Sequence, residues 1–388
     1  MERLIFILFI IYMIYIIFEK LILIKNRKKL KYVIHVNGIR GKSTVCRLLD
    51  AGLRAGGYKV FTKVTGTSPR IIDTDFGEKI INRQGKANII EQIKTINWAV
   101  RSGAEILIIE CMAINPKLQY ICEHKILKSD ISVITNVRYD HLDVMGNELD
   151  SIAESLSNSI PRNGILFTLS DKYFDFFKKK ADKLDTNICL VECNPKYIKK
   201  YEKIDFYENV AISLEICKYL GVDNDIAFNG MKTYKRDPGT LQVIKIINKA
   251  NSNIFFINAM AANDPDSTKI IINRLSEKKI LNNKKYLLIN NRKDRINRSE
   301  QYINFVLEHK DIFSKILISG EIKNLFYNQL INNNIDKNNV LTIKDENTLD
   351  DLINNINEDL DIIAVGNIYG YGEKILNYFL EYGDIFNV

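Results

Sequence analysis

The segment His35-Val36-Asn37-Gly38-Ile39-Arg40-Gly41-Lys42-Ser43-Thr44 decides the fold of this chain. A β-branched run at residues 32–36 leads into it, and apolar residues at helical spacing follow it until Gly56. This order of strand, glycine loop and helix is typical of phosphate-binding loops, whose backbone N–H groups surround a phosphate at the positive end of a helix. In such a loop, Lys42 would contact the β and γ phosphates and Ser43 would bind Mg²⁺.

The loop is a shortened form of the general G-x-x-x-x-G-K-[ST] pattern. Val36 occupies the place of the first glycine, and the shorter pattern G-x-x-G-K-S begins at Gly38. A glycine-rich turn with a solvated lysine is the alternative, but it does not account for the strand before the loop and the helix after it. We therefore predict a binding site for nucleotide phosphates.

Short β-branched runs alternate with longer amphipathic stretches along the rest of the chain, which is typical of an α/β fold with a mostly parallel sheet. The alternation is interrupted at residues 235–240, where a Pro-Gly pair indicates a turn or hinge, and then resumes. We expect an anchor and basic flank at residues 1–31, a central domain at 32–238 and a C-terminal domain at 239–388. The predicted strands are residues 32–36, 106–109, 131–134, 165–169, 188–191, 254–257, 286–289, 316–319 and 362–365.

Composition excludes several classes of protein. The 388 residues are 46% hydrophobic and 26% charged, which is enough apolar material for two globular domains and too much for a disordered chain. The six cysteines include no C-x-x-C pair, so neither a zinc module nor a disulfide framework is indicated. The net charge of +8 suits an anionic partner, but no basic run with interleaved aromatic residues lies outside the N-terminal flank, so no nucleic acid is expected.

The chain begins with a candidate membrane anchor. Residues 4–18 are all apolar or tyrosine, and after Glu19 and Lys20 the apolar run continues to residue 24. A helix over residues 4–24 would be about 31 Å long, which matches a hydrocarbon core of roughly 30 Å. Basic residues follow in place of a small-residue cleavage site, which disfavours a cleaved signal peptide and favours a cytoplasmic catalytic part. A buried N-terminal helix is the other alternative, although such helices are seldom apolar on all faces.

Two polar positions follow predicted strands. Glu110 comes directly after residues 106–109, and His141, with carboxylates beside it, follows residues 131–134. The carboxyl ends of parallel strands meet at one edge of a sheet, where ligands bind in open α/β folds. Taken alone, Glu110 is equally consistent with a cap and His141 with a structural histidine, but their shared edge favours metal ligands.

Several motifs follow one another in a fixed order along the chain. They are G-I-R-G-K-S-T (38–44), T-G-T-S-P-R (65–70), E-C-M-A-I-N-P (110–116), T-N-V-R-Y-D-H-L-D-V-M-G (135–146), D-P-G (237–239), A-A-N-D (261–264), N-R-K-D-R-I-N-R (291–298) and V-G-N-I-Y-G (365–370). These motifs resemble those of the Mur ligase superfamily. The resemblance is strongest to the CapB/PgsB family, the catalytic subunit of poly-γ-glutamate synthase, and it covers nearly the whole chain.

The resemblance implies a reaction and a set of site residues. In Mur-type ligases, ATP phosphorylates a carboxylate, and an amine then attacks the acyl phosphate to give an amide. Lys42, Glu110 and His141 would be catalytic. The phosphates would be bound by Asn37, Gly38, Arg40, Gly41, Lys42, Ser43 and Thr44, and Mg²⁺ by Ser43, Ser68, Glu110 and His141.

Further residues match weaker parts of the family pattern. Asn209 resembles an adenine-contacting asparagine, although a helix N-cap is an alternative. Asn263 and Asp264 resemble a loop that faces the nucleotide. Arg292, Arg295 and Arg298 would bind glutamate carboxylates or the growing polyanion, or would form a solvated basic face. Many Mur ligases carry a carbamylated lysine after the aspartate-histidine motif, and because residues 146–160 contain no lysine, Glu154 is our hypothesis for the replacement.

The expected protein is therefore a membrane-anchored ligase. The resemblance implies a transmembrane helix, a Mur-ligase-like P-loop central domain with a mostly parallel sheet, and a Rossmann-like α/β C-terminal domain. It also implies ATP and Mg²⁺ as cofactors, glutamate and poly-γ-glutamate as substrate and product, and other membrane subunits for synthesis and export. A homo-oligomer is compatible with the sequence. The alternatives are a membrane-tethered P-loop ATPase that makes no amide and a ligase like folylpolyglutamate synthase.

Overall fold

The computed structural model describes residues 2–66, 69–83, 87–169, 172–202, 204–237, 241–260, 264–277, 281–282, 284–293, 296–368 and 370–386. Contacts divide the chain into two compact units, Met1–Arg236 and Asp237–Val388. Each unit is built on its own sheet.

The sheet of the first unit has eight strands within the described residues. They are β1 (Tyr32–Asn37), β2 (Val60–Val64), β3 (Arg70–Ile72), β4 (Glu78–Ile80), β5 (Ile106–Glu110), β6 (Ile131–Ile134), β7 (Ile165–Thr168) and β8 (Asn187–Leu190). Their order is β4-β3-β2-β5-β1-β6-β7-β8. The pairs from β2 to β8 are parallel, whereas β3 pairs antiparallel with both β2 and β4. The central strand β1 therefore carries its loop to the edge where β5 and β6 also end.

The described part of the first unit also contains helices. They are α1 (Glu2–Arg27), α2 (Lys42–Ala55), α3 (Glu91–Arg101), α4 (Pro116–Ile121), a π-helix (Cys122–Leu127), α5 (Leu142–Met145), α6 (Leu149–Ser157), α7 (Phe174–Asp182), α8 (Pro195–Tyr201), α9 (Tyr207–Tyr219) and α10 (Asn224–Met231). Helix α2 begins directly after the glycine loop and buries Val45, Leu48, Leu49 and Leu53 in the core. Its apolar face at helical spacing thus fixes the position of the loop on the sheet.

The second unit is also α/β. Its described strands are β9 (Gln242–Ile247), β10 (Asn253–Asn258), β11 (Lys285–Asn291), β12 (Lys315–Gly320), β13 (Val340–Thr342), β14 (Leu360–Gly366) and β15 (Asp384–Phe386), in the order β13-β12-β11-β14-β10-β9-β15. Strands β9 and β15 are antiparallel to their neighbours, and the others pair in parallel. The helices are α11 (Pro265–Glu277), α12 (Ile296–Glu308), α13 (Lys323–Asn332), a 3₁₀ helix (Lys337–Asn339), α14 (Glu346–Asn354) and α15 (Tyr371–Tyr382).

The predicted α/β class and its mostly parallel sheets are confirmed. Every strand predicted from a β-branched run is present, with ends that differ by at most two residues. Strand β2 was not predicted because Lys63 interrupts its apolar pattern, yet this lysine is fully buried against Glu91, with 2.6 Å between Nζ and Oε1. The strands β3, β4, β13 and β15 are only three residues long and leave little periodicity to detect.

Helix α1 is long and apolar enough to cross a membrane by its length and composition. Side chains at residues 4–18 are exposed to solvent in the isolated chain, whereas Leu23 near the helix end is buried. A helix of the protein core would bury at least one apolar face. The alternative of a buried N-terminal helix is therefore wrong for residues 4–18.

Candidate active site

The loop after β1 requires glycine at two positions. Gly38 has φ +123° and Gly41 has φ +84°, both in the region that L-residues seldom adopt. A Cβ atom on Gly38 would lie 2.1 Å from Thr135 Oγ1, and one on Gly41 would lie 2.6 Å from Asn209 Oδ1. Backbone conformation and available space thus both exclude a side chain.

Lys42 and Ser43 open helix α2 at this loop. The Lys42 ammonium donates hydrogen bonds to the carbonyl oxygens of Gly38, at 2.7 Å, and Ile39, at 3.1 Å. The charge therefore lies over the loop that would surround a phosphate. Helix α2 has no acidic residue in its first turn, so its positive end is not neutralised by its own side chains.

Glu110 and Ser43 meet at the edge of the sheet. Glu110 ends β5 and is only 3% exposed. Its Oε2 accepts hydrogen bonds from Ser43 Oγ, at 2.8 Å, and from the backbone N–H of Thr65, at 2.6 Å. A carboxylate and a hydroxyl are oxygen ligands of the kind Mg²⁺ prefers, and Mg²⁺ usually completes its shell with water and substrate phosphate. Among the described residues, no group of three or more His, Cys, Asp or Glu lies close enough together to hold a metal ion.

The loop after β6 binds the phosphate loop at Arg40. Thr135 Oγ1 donates to the Arg40 carbonyl at 2.6 Å, and the Arg40 N–H donates to Asn136 Oδ1 at 3.0 Å. The Arg40 guanidinium also lies 3.2 Å from Asp140 Oδ2. These contacts hold the loop that contains Arg40 against the loop that contains His141.

Asp140 lies between Arg40 and His141. Its Oδ1 accepts a hydrogen bond from the His141 N–H at 2.8 Å, and its Oδ2 is 3.6 Å from His141 Nε2. His141 has φ +52°, a left-handed conformation that this hydrogen bond helps to hold. Sequence analysis assigned no role to Asp140, although its position directly before the histidine was the available signal.

Asn37 supports the loop from the core side. Its side chain is 3% exposed, donates to Gln119 Oε1 at 3.0 Å and Ser159 Oγ at 3.1 Å, and accepts from the Gly38 N–H at 2.8 Å. These bonds direct the Asn37 side chain into the protein, so any contact with phosphate would have to come from its backbone.

Asn209 is buried beside the glycine loop. It is the third residue of α9, which begins at Tyr207, so the alternative of a helix N-cap is wrong. Its Nδ2 donates to Asp205 Oδ1 at 3.0 Å, and Asp205 Oδ2 accepts from the Tyr234 hydroxyl at 2.5 Å. Burial and the Asp205 carboxylate together raise the pKa of Tyr234, so this hydroxyl keeps its proton.

Glu154 does not join this group. It lies on the exposed face of α6, where Lys180 Nζ approaches its Oε1 at 2.5 Å. The buried face of α6 instead presents apolar and small residues to the core. Our hypothesis that Glu154 replaces the carbamylated lysine is therefore not supported by its position.

The residues predicted in the second unit are dispersed. Asp264 is buried and accepts a hydrogen bond from the Ser267 N–H at 2.8 Å, as a cap of α11 does. Arg292 lines a cavity of about 400 Å³ at the carboxyl ends of the parallel strands β11, β12 and β13. Arg298 lies on α12 and is not among the described residues that line the cavity. Ser68, Asn263 and Arg295 lie outside the described residues.

The cavity has a cationic lining that sequence analysis missed in part. Lys293, Lys323 and Lys344 line it together with Arg292, and Glu321 is the one acidic residue among the described residues of the lining. Lys293 and Glu321 partly neutralise each other, with 3.9 Å between Nζ and Oε1. The remaining lysines come from elements far apart in the sequence, so only the fold could bring them together.

Two protein-family profiles match the chain. The profile described as Mur ligase middle domain matches residues 36–230, and the one described as poly-gamma-glutamate synthase CapB C-terminal domain matches residues 243–382. PGA synthase CapB of Bacillus subtilis (strain 168) is 35% identical over 365 residues, which cover 92% of each chain. Capsule biosynthesis protein CapB of Bacillus anthracis is 37% identical over 281 residues, covering 71% of this chain and 60% of that relative.

Solved structures share the fold at low sequence identity. The bifunctional folylpolyglutamate synthase/dihydrofolate synthase of Yersinia pestis, complexed with AMPPNP and a Mn ion, aligns with a TM-score of 0.65 and 14% identity. The alignment covers 92% of this chain and 90% of that one. At this identity the likeness shows a common fold for both units of the chain.

Proposed function

The chain belongs to the CapB family of poly-γ-glutamate synthases within the Mur ligase superfamily, and from this premise we propose how it makes an amide bond. The family resemblance found in the motifs is confirmed. The chain is an ATP-dependent amide ligase of poly-γ-glutamate synthesis. The observation that best supports the mechanism below is the Ser43–Glu110 hydrogen bond beside the glycine loop.

We propose that the reaction proceeds in two balanced steps. A γ-carboxylate oxygen of glutamate attacks the γ-phosphorus of ATP, the bond from this phosphorus to the β–γ bridging oxygen breaks, and ADP leaves. The amine of a second glutamyl unit then attacks the acyl carbon. The C–N bond forms, the C–O bond to phosphate breaks, and inorganic phosphate and a proton are released.

The first unit would supply charge stabilisation for both steps. Lys42 and the N–H groups of residues 38–44 would hold the triphosphate, since carboxylate and triphosphate repel each other without such neutralisation. Ser43, Glu110 and His141 would hold Mg²⁺, which when bound would neutralise phosphate charge. Asp140 would orient His141 and Arg40 through its existing contacts. Asn209 would contact the adenine end of the nucleotide.

The second unit would bind carboxylate groups of the substrate. Arg292, Lys323 and Lys344 converge on the cavity at the strand ends, and guanidinium and ammonium groups are the usual partners of carboxylates. We propose that glutamate or the end of the polymer occupies it. Arg295, Arg298, Asn263, Asp264 and Ser68 keep the roles that the family resemblance implies, as proposals.

We further propose that residues 1–31 anchor the protein in the cell membrane and that residues 32–238 and 239–388 act as ATP-binding and C-terminal domains in the cytoplasm. The basic residues after the apolar run agree with this orientation. Membrane subunits for polymer synthesis and export would then contact the anchored protein, which could also form a homo-oligomer.

The test is whether ATP cleavage depends on glutamate. Purified full-length protein with ATP and Mg²⁺ should release ADP slowly, and added glutamate should accelerate release in proportion to amide formed. Rapid ADP release that glutamate does not change, without any amide, would contradict the ligase mechanism and would favour a membrane-tethered ATPase. Amide formation only with a folate acceptor would favour a folylpolyglutamate synthase.

A further inference from the structure

The candidate anchor is joined to the first unit without a flexible linker. Helix α1 runs unbroken to Arg27, and β1, the central strand, begins at Tyr32. Leu23 and Leu30 at this end are 8% and 4% exposed and belong to a core cluster with Ile96 of α3. The last turns of α1 are therefore part of the folded domain.

Polar contacts hold the same junction in place. Asn26 Nδ2 donates to Asn97 Oδ1 of α3 at 2.8 Å. The Arg27 guanidinium donates to the Leu127 carbonyl at 2.8 Å, to the Lys128 carbonyl at 2.8 Å and to Asp130 Oδ2 at 2.7 Å. Asp130 Oδ2 also accepts the N–H of Val33 in β1 at 2.7 Å. Helix α1, the segment after the π-helix and the central strand thus share one hydrogen-bond network.

Exposed lysines surround this junction. We define the collar as Lys25, Lys28, Lys29, Lys31 and Lys128, all of which are exposed. The nearby carboxylates are engaged elsewhere, because Asp130 pairs with Arg27 and Glu105 accepts the Lys59 N–H. Within the described part of the chain, no carboxylate oxygen lies within 4.0 Å of a collar ammonium. Lys31 instead lies over the Tyr58 ring, 5.1 Å from its centroid.

We propose that the collar binds anionic phospholipid headgroups and, through the rigid junction, holds the first unit in a fixed orientation at the membrane surface. This inference rests on the proposed insertion of α1 in the membrane. Collar residues come from the end of α1, from the segment between α1 and β1, and from Lys128 after the π-helix, so the folded first unit itself would contact the headgroups. Clustered lysines next to a membrane span attract anionic lipids over a distance of roughly one Debye length.

Trp98 is a built-in reporter of this contact. It is the only tryptophan of the chain, it lies in α3 directly after Asn97, and it packs partly buried against the cluster that contains Leu23. Full-length protein would be reconstituted in nanodiscs of neutral phosphatidylcholine, or of the same lipid with phosphatidylglycerol, each with a headgroup nitroxide lipid. Quenching of Trp98 emission then measures how close the junction lies to the headgroups.

Matched variants assign the effect to the collar. The collar variant replaces Lys28, Lys29 and Lys128 with glutamine. The control variant replaces Lys178, Lys179 and Lys183 with glutamine. These three exposed lysines lie in and beside α7, which packs on a different core cluster. Both variants lose the same charge. Their thermal unfolding in detergent shows whether each is folded.

The expected result is stronger Trp98 quenching in anionic than in neutral nanodiscs, at least twofold, reduced by high salt and lost in the collar variant but kept in the control variant. If the protein enters the discs but Trp98 is quenched equally in both lipids, or equally in both variants, the proposal that the collar binds headgroups is wrong. The proposal that α1 anchors the protein would still stand. Failure of the wild-type chain to enter nanodiscs at all would overturn the anchor and the collar together.

Discussion

Two glycines with similar backbone angles, Gly41 in the phosphate loop and Gly57 after α2, show how the surroundings of a residue decide what it tolerates. Gly41 combines φ +84° with contact against Asn209, whereas Gly57 has a similar φ of +88° and nothing within 4 Å of the place that a Cβ atom would occupy. Gly57→Ala therefore incurs only the conformational cost, about 1 kcal/mol. Gly41→Ala incurs that cost and a steric clash beside the proposed nucleotide site.

We expect Gly41→Ala to weaken nucleotide binding by at least about 10-fold, and Gly57→Ala to leave it unchanged, because only the first distorts the loop. Isothermal titration with a non-hydrolysable ATP analogue measures both. Equal affinity of the two single variants would contradict the described loop geometry.

The charge of Glu110 can be separated from its hydrogen bonds. Glu110→Gln keeps an oxygen that can accept from Ser43 and Thr65 but removes the negative charge. Ligation should fall by roughly 100-fold or more, because the proposed metal ligand loses its charge. The midpoint of thermal unfolding should move by less than about 4 °C. Activity near that of the wild type over a Mg²⁺ titration would refute the proposed role of this carboxylate.

At the scale of secondary-structure elements, α3 is bound to the sheet by a buried charge cluster. Lys63 of β2 lies 2.6 Å from Glu91 Oε1, and Arg83 lies 2.7 Å from Glu91 Oε2. Burial opposes ionisation of Glu91, but hydrogen bonds from Arg83 and Lys63 outweigh it and lower the pKa of Glu91 to about 2. Burial also disfavours the charged form of Lys63 and therefore lowers the pKa of its ammonium group.

A carboxyl group with a lowered pKa in the folded state stabilises the fold above its ordinary pKa of 4.5 and loses that contribution as the pH falls toward 2. Glu91→Gln should therefore lower the free energy of unfolding by about 3 kcal/mol at neutral pH, because Lys63 stays buried without its partner. The decline of this free energy between pH 4.5 and 2 should also become smaller than in the wild type. Trp98 emission during urea unfolding follows this unit. Glu215→Gln, at a surface pair with Lys218, is the matched control and should change stability by less than about 0.5 kcal/mol. A pH profile of Glu91→Gln parallel to that of the wild type would refute the ion pair.

The cationic cavity is a property of several elements together. Lys344→Gln or Lys323→Gln should raise the KM for glutamate by roughly 10-fold while leaving ATP binding unchanged, because each removes one carboxylate partner. Lys310→Gln, at an exposed position after α12, is the matched control. Initial-rate kinetics over glutamate concentration give the result. A KM for glutamate that neither cavity variant changes would exclude the cavity as the substrate site.

Elements were predictable from the sequence where one periodicity dominated. The strands β1, β5 and β6 could be found because they are rich in Ile and Val and are buried on both faces. Strand β2 and the pairing of Lys63 with Glu91 could not, because a buried lysine is recognisable only when its partner is known. Side-chain contacts such as Arg40 with Asp140 depend on how two separate loops meet, which sequence spacing does not give.

At the scale of the whole molecule, the order of motifs predicted the ligase family, and the homologues confirm it. Short local patterns located Ser43 and Glu110, and parallel strands at the centre of the sheet explain why they meet. The grouping of lysines around the cavity of the second unit and the packing of α1 on α3 were not predictable. Each brings together residues that are separated by tens of positions in the chain.

The most direct test of the central claim uses labelled glutamate. Membranes that contain this chain and the proteins encoded beside it would be incubated with labelled glutamate, ATP and Mg²⁺, in parallel with membranes that carry Lys42→Ala. The wild type should produce a labelled polymer that resists proteases specific for α-peptide bonds, with one ADP for each amide formed, and the Lys42→Ala membranes should produce none. Polymer formation at the same rate without Lys42, or ATP consumption by the wild type with no polymer, would contradict the account.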